Sequence, residues 1–281
     1  MAAKDSGALG AKSNYLNEVA RLIADAVASG QKEVLTSYLM AQSNLPGPRG
    51  NLELAEAFAR RVEQAAALAP EPLWRLCLEL AATGPDRAPV NDPGEFVAFC
   101  GVRGVGAVAV AVPDHYADAM SHLRVAARDP RWRVREAVAM ALQDLIASRG
   151  ALMLHDLEAW VEGADWLAMR AVAAGIAEPR LLKDAALGRG ALALHKMILT
   201  LLMGGGAVGK SDALRALRQC LGYSLSVVVA ALPAEGWTYI GELASTQNDQ
   251  VRWIVRENLK KTRLIRTHLA EVRDVKASMQ A

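Results

Sequence analysis

The sequence is poor in aromatic residues, which are 5% of its 281 residues although 52% are hydrophobic. Ala, Leu and Val must therefore form most of the core, as is typical of closely packed helices. It has three cysteines, Cys77, Cys100 and Cys220, which are far apart. An odd, unclustered set argues against a disulfide framework and against a zinc site. We expect buried thiols in a reducing, cytoplasmic compartment.

An excess of charge of either sign is also lacking. Lys and Arg total 32 against 30 Asp and Glu, for a net charge of +2, so overall charge favours neither nucleic acid nor an acidic membrane as a partner. A charged fraction of 22% is ordinary for a soluble domain and argues against a long disordered chain. Residues 1–13 lack the apolar region of a signal peptide and are predicted to form a flexible tail.

Long apolar runs are the third absence. A membrane-spanning helix needs about 18 consecutive apolar residues. The segment 96–112 is interrupted by Arg103 and by glycines, and the segment 191–203 contains His195 and Lys196. The sequence therefore predicts a soluble protein with no membrane partner.

Apolar residues recur at helical spacing along nearly the whole chain, with helix-starting residues between the periodic segments. Asn51, Asp92-Pro93 and Asp129-Pro130 are examples of these starts. Strand-like patterns occur only at 104–112 and 227–229, and both are short. This pattern predicts an all-α protein.

Three segments repeat one pattern. Residues 129–142 and 249–259 each begin with an acidic turn residue, continue with a Val-Arg pair and end in an apolar helix, and residues 165–176 repeat the pattern with Met169-Arg170. The arginines are separated by 35 and by 82 residues, which is close to one and two periods of about 40.

On these segments the sequence resembles the HEAT-repeat family. The resemblance implies an α-solenoid of stacked antiparallel helix pairs, forming one domain over residues 14–281, although residues 14–110 show no clear repeat phase. In HEAT repeats the acidic residue caps the second helix and the arginine bonds to turns of a neighbouring repeat. The resemblance therefore implies structural roles for the following residues: Asp129, Arg135, Arg170, Asp249 and Arg252.

One motif points to nucleotide chemistry. Residues 204–211 match G-x-x-x-x-G-K-[ST], in which Gly204 and Gly209 would admit phosphates, Lys210 would bind them and Ser211 would bind Mg²⁺. No downstream strand ending in Asp is evident, so we favour an inter-helix loop with Ser211 or Asp212 as helix cap. The five histidines show no ligand spacing, and we expect neither metal nor cofactor.

Tryptophan and basic residues suggest a binding surface near the repeats. The candidate residues are Trp132, Arg133, Trp166, Trp253, Arg256 and Lys260. They could stack on bases or line a charged groove. The alternative is a structural role, in which the tryptophans fill wedge-shaped gaps between repeats. Residues 251–281 contain eight Lys or Arg against three Asp or Glu, and residues 121–150 contain six against three.

The sequence favours a noncatalytic scaffold that binds a protein partner on a concave face, since no catalytic motif stands out. The alternative is a DNA-binding or DNA-repair solenoid, because alkylpurine DNA glycosylases also have HEAT-like folds. A nucleotide hydrolase built on residues 204–211 is the third hypothesis. The identity of the partner and the oligomeric state stay open.

Overall fold

The computed structural model describes the backbone of residues 3–204 and 211–280, and the side chains from Tyr15 onward within those ranges. Every regular element of these residues is helical, which confirms the all-α prediction for the described chain. The α-helices are α1 (Ala3–Ser29), α2 (Glu33–Ala41), α3 (Leu52–Ala66), α4 (Pro70–Ala81), α5 (Pro93–Ala111), α6 (Tyr116–Ala126), α7 (Trp132–Arg149), α8 (Met153–Glu162), α9 (Trp166–Ile176), α10 (Ala185–Gly204), α11 (Asp212–Ala231), α12 (Pro233–Ala244), α13 (Asp249–Asn258), α14 (Thr262–Thr267) and α15 (Leu269–Ser278). Short 3₁₀ turns lie at Pro113–His115, Gly150–Leu152 and Leu181–Lys183.

Two features concern the predicted organisation, a tail over 1–13 followed by one domain over 14–281. Helix α1 begins at Ala3, within the predicted tail, where Ala and Lys favour a helix and no proline ends it. The chain also divides into two compact units, Met1–Leu145 and Ile146–Ala281.

Two helix boundaries in the second unit are set by packing and turns. Helix α11 runs without a break from Asp212 to Ala231. Helix α13 ends at Asn258, within the repeat segment 249–259, and is followed by the short α14. Both strand-like patterns lie inside helices, α5 and α11, because tertiary burial overrides the modest helix propensity of valine.

Helix α5 is the centre of the first unit. It is apolar on all sides and packs against α2, α3, α4 and α6. The one charged side chain in its middle, Arg103, is 2% exposed and donates to Glu56 and to Asp144 at 2.9 and 2.8 Å. A helix that is hydrophobic all round belongs in a core, and this arginine is accommodated there by two carboxylates.

Two glycines allow α5 to touch its neighbours closely. A Cβ atom at Gly101 would lie 2.1 Å from the backbone nitrogen of Ala81 in α4, and one at Gly106 would lie 2.7 Å from Cβ of Ala141 in α7. Neither position has room for a side chain. The glycines that interrupt the apolar run in the sequence are therefore what lets α4 and α7 approach α5.

Contacts show that α3, α5 and α7 run parallel to one another in the first unit. Gly50, just before α3, lies against Phe96 near the start of α5. Arg133 at the start of α7 is bonded to Glu95 at the start of α5. Further along, Arg103 joins α3 and α7 to α5. The N-terminal ends of α3, α5 and α7 therefore lie together, and the intervening helices α4 and α6 run back in the opposite direction.

Helix α11 is the corresponding centre of the second unit, where it packs against α9, α10, α12, α13 and α14. Arg218, early in α11, bonds Gln250, early in α13, and the amide of Ser226, later in α11, donates to Asn258 at the end of α13. These two helices are therefore also parallel. The buried Asn258 bonds the carbonyl of Leu221 as well, so its polar atoms are satisfied.

By length and composition alone, three described helical segments could cross a membrane, namely Pro93–Ala111, Trp132–Glu162 and Ala185–Gly204. The sequence pattern predicts no membrane-spanning helix. In the first of them, 89% of the apolar window is buried inside the protein, which accords with the place of α5 at the centre of its unit.

Candidate functional site

The first unit contains an open apolar groove between α4, α5 and α6. Its volume is about 490 Å³, and Val102 and Val105 of α5 form its floor. Val125 on its edge is 71% exposed. The lining residues are mainly apolar: Leu78, Ala81, Ala82, Val102, Val105, His122, Leu123, Val125, Ala126, Arg128, Asp129 and Val134. The groove can therefore hold apolar side chains of a ligand.

Polar groups are confined to a few positions of this lining. His122 and Arg128 are basic, while the carboxylate of Asp129 accepts bonds from Nε and Nη2 of Arg131 at 2.9 and 2.7 Å. Arg131 is itself 1% exposed. Asp129 is thus paired with a buried arginine, and the mainly apolar lining favours an apolar ligand.

An aromatic cluster adjoins the groove through His122. Trp74 of α4 meets His122 edge to face, with ring centroids 5.7 Å apart, and stacks on His115 at 4.7 Å. His115 lies 3.4 Å from a carboxylate oxygen of Glu71. Sequence spacing gives no sign of this cluster, because its members come from α4, from the turn before α6 and from α6 itself.

The repeat residues take different structural roles. Arg252 donates to the carbonyls of Ala244 and Met279, at 3.3 and 2.7 Å, and so joins the end of α12 to the residue that follows α15. For Arg135, Nη1 donates at 2.7 and 2.9 Å to the carbonyls of Asp129 and Pro130, in the turn before its own helix. Arg170 is buried in α9.

Helix caps follow the residue types more than the repeat alignment. Asn248 caps α13, so the predicted cap Asp249 is instead the first helical residue. Asp165 caps α9 by accepting from the amides of Leu167 and Ala168. Asp129 accepts from the amide of Arg131 at the start of α7.

The six predicted binding residues divide between the two units. Trp132 and Arg133 lie in the first, where Trp132 is 43% exposed and the Arg133 guanidinium lies 4.4 Å from its ring. Arg133 is buried, not exposed: it bonds Glu95 at 3.0 Å and the Gly47 carbonyl at 2.6 Å. Its charge is therefore used to hold the loop before α3 against α5 and α7.

In the second unit, Trp253 and Arg256 lie three residues apart on α13, whereas Lys260 lies in the turn after this helix, 2.5 Å from a carboxylate oxygen of Glu257. Trp253 packs over Gly222 of α11, and the guanidinium of Arg218 lies 4.4 Å from its ring. Trp253 thus fills the space between α11 and α13 at Gly222. Arg218 is a neighbour that sequence reasoning missed. Trp166 lies at the start of α9, half-buried.

The nucleotide motif lies mostly outside the described residues. Gly204 ends α10, Ser211 caps α11 by accepting from the amide of Leu214, and Gly209 and Lys210 fall within the undescribed 205–210. A P-loop follows a strand, but residues 197–203 belong to α10. The structure thus confirms the predicted role of Ser211 as a helix cap.

One serine and histidine pair has the contact of a catalytic dyad but no access to solvent. Nε2 of His195 lies 2.9 Å from Oγ of Ser224, and Nδ1 lies 2.8 Å from the carbonyl of Ala191. Both residues are 0% exposed, and burial lowers the pKa of His195 to about 4. The pair therefore ties α10 to α11.

The remaining reactive groups also fit a structural role. All three cysteines are free and buried, and burial raises the pKa of the Cys77 and Cys100 thiols. Within the described ranges, no group of three or more His, Cys, Asp or Glu is placed to hold a metal ion.

No protein-family model matches the sequence, and no curated protein matches it. Among solved structures, the chain is similar to a designed armadillo repeat protein, with 15% sequence identity and a TM-score of 0.28. The similarity covers 79% of this chain and 98% of that one.

Proposed function

We propose that this protein is a noncatalytic α-solenoid of the HEAT type that binds a segment of a protein partner. The parallel helices α3, α5 and α7 in the first unit, and α11 and α13 in the second, support stacked helix pairs. Such stacking gives extended surfaces suited to protein partners.

The observation that carries the binding proposal is the groove between α4, α5 and α6. A volume of about 490 Å³ is within the range of ligand sites and accepts several apolar side chains. Val125 stands exposed at its edge, where a bound segment would cover it. Because the lining is mainly apolar and Asp129 is paired with Arg131, an apolar segment fits best.

A photo-cross-linking amino acid at position 125 tests this proposal in cells. The control is the same amino acid at position 34, because Val34 is 68% exposed on α2, outside the groove lining. We expect one protein to cross-link from position 125 and not from 34, and mass spectrometry then identifies it and the segment bound.

The affinity of the purified partner completes the test. Val125→Asp should weaken binding about tenfold or more, since a charge would enter an apolar contact, whereas Val34→Asp should leave the affinity unchanged. Equal affinities of the two variants would contradict binding in the groove.

The DNA-binding alternative is favoured by one observation, the exposed Arg256 near the end of α13 and Lys260 just after it, with Arg218 of α11 beside Trp253. Its test is fluorescence anisotropy with duplex DNA at low salt, where phosphate contacts are strongest. Arg256→Gln with Lys260→Gln should then weaken binding, with Lys183→Gln plus Arg189→Gln as a control of equal charge in the same unit. No binding at low salt removes this alternative.

A further inference from the structure

Helices α14 and α15 each bury one side of a short helix and leave the other exposed. Leu264 is 0% exposed where α14 packs on α11, and Val272 is 2% exposed where α15 packs on α12. The remaining positions of both helices are largely exposed. Few side chains of these two helices are needed to pack them against the rest of the unit. Their exposed surface is therefore available to bind a ligand.

This surface is basic. Arg263 and Arg266 lie three residues apart on α14, and Arg273 and Lys276 lie three apart on α15, all exposed. Among the described residues these four cations make no ion pair. Of the two acids on α15, Glu271 lies 3.4 Å from His268, and Asp274 is exposed.

The same surface exposes aliphatic side chains between the cations. Ile265 is 37% exposed and Leu269 is 45% exposed. Residues 260–280 contain no Phe, Tyr or Trp, and their one aromatic ring, the imidazole of His268, lies beside Trp237 with ring centroids 5.8 Å apart. The interface of an anionic bilayer suits both kinds of side chain, because the acyl boundary takes up exposed aliphatic groups and the lipid phosphates attract unpaired arginines.

We propose that α14 and α15 form a peripheral attachment surface for anionic phospholipid membranes. Arg263 and Arg266 would bind lipid phosphates, while Ile265 and Leu269 enter the boundary of the acyl chains. Duplex DNA offers the phosphates but no apolar layer, and an acidic peptide would need a preformed groove to bury both aliphatic groups. A bilayer needs neither aromatic stacking nor a groove.

This attachment is independent of any membrane-spanning helix and of the proposed protein-binding groove. The sequence predicts no membrane partner because charge over the whole chain is nearly balanced. The burial pattern of α14 and α15 changes that expectation, since it places Leu264 inside and leaves Ile265 and Leu269 outside.

Co-sedimentation of the full-length protein with vesicles tests the proposal. One set is made of equal parts phosphatidylcholine and phosphatidylglycerol, and the other of phosphatidylcholine alone. We expect binding to the anionic set, weakening as salt is added. Arg263→Gln with Arg266→Gln should reduce the affinity about 25-fold, and Ile265→Asn with Leu269→Asn about tenfold or more.

Matched controls lie in the same unit. Lys183→Gln with Arg189→Gln removes two exposed cations, and Leu152→Asn removes a leucine that is 76% exposed; both should bind like the wild type. Equal binding to neutral vesicles, or unchanged binding of the α14 variants with unaltered melting curves, would overturn the proposal. Retention of duplex DNA without vesicle binding would overturn it in favour of nucleic acid.

Discussion

At the scale of single residues, Arg252 shows how one side chain can hold three chain segments. Arg252 lies on α13, and its guanidinium donates to the carbonyl of Ala244, at the end of α12, and to the carbonyl of Met279, just after α15. At the opposite end of these helices, Trp237 of α12 lies 5.8 Å from His268, just before α15. Helices α12 and α15 are therefore parallel, with Arg252 closing one end.

We expect Arg252→Ala to lower the free energy of unfolding by about 1–2 kcal/mol, because two hydrogen bonds from a charged donor are lost. Arg256→Ala is the matched control: Arg256 is exposed on the same helix, and its removal should change stability little. Thermal and urea unfolding of the two variants measure the difference. Identical unfolding curves would show that Arg252 does not join these segments.

Two carboxylates of the first unit differ sharply in what they should contribute. Glu95 is 0% exposed and bonded to Arg133, whereas Glu56 is 51% exposed and shares Arg103 with Asp144. Glu95→Gln leaves Arg133 buried without its counter-charge and should cost about 3 kcal/mol. Glu56→Gln should cost below about 1 kcal/mol. Urea unfolding measures both, and equal costs would contradict a structural ion pair at Glu95.

At the scale of helices, the glycines of α5 should matter through contact and not through flexibility. Gly101→Ala would place a Cβ 2.1 Å from backbone of α4 and should destabilise the fold by about 2–3 kcal/mol. Gly241→Ala on α12 meets no atom within 4 Å, and should stabilise by up to about 1 kcal/mol because alanine favours helices. Opposite shifts in melting temperature are the expected result, and shifts of the same sign would contradict it.

The pair of His195 and Ser224 predicts a pH dependence of stability. Because the Ala191 carbonyl can only accept, Nδ1 carries the proton and Nε2 accepts from Ser224. The pKa of His195 is lowered to about 4 by burial, below the ordinary value of about 6.5 of an unfolded chain. Between these values only the unfolded state takes up the proton, so stability falls as pH falls, by up to about 3 kcal/mol.

Urea unfolding at pH 7.5 and at pH 5 measures this dependence. His195→Gln lacks the titrating group, so its stability should fall less than that of the wild type over the same interval. An equal fall in both proteins would assign the acid sensitivity to other groups.

Helix existence and capping follow from the sequence because they depend on local chemistry. Asn51, Asp92 and Ser211 are recognisable as caps, and each accepts a backbone amide of its helix. The continuity of α11 through Gly222 depends instead on Trp253, which packs there from another helix. The groove beside α5 likewise depends on the spacing of α4 and α6 in space, which no periodicity along the chain encodes.

At the scale of the whole molecule, each unit should be most stable at its central helix. Helix α5 is buried on all sides in the first unit, and α11 is packed against five helices in the second. By contrast, Val272 is the one buried residue of α15. Because local opening costs little where few apolar contacts are broken, α15 should open long before the core does.

Hydrogen exchange measured by mass spectrometry checks this order. Amides of α5 and α11 should exchange slowest in their own units, and amides of α15 fastest among the helices of the second. Anionic vesicles should then slow exchange in α14 and α15 while α5 is unaffected, since the proposed attachment covers only those two helices. Slow exchange of α15 in the free protein would mean that further contacts hold it, and protection by vesicles spread over the first unit would place the membrane surface elsewhere.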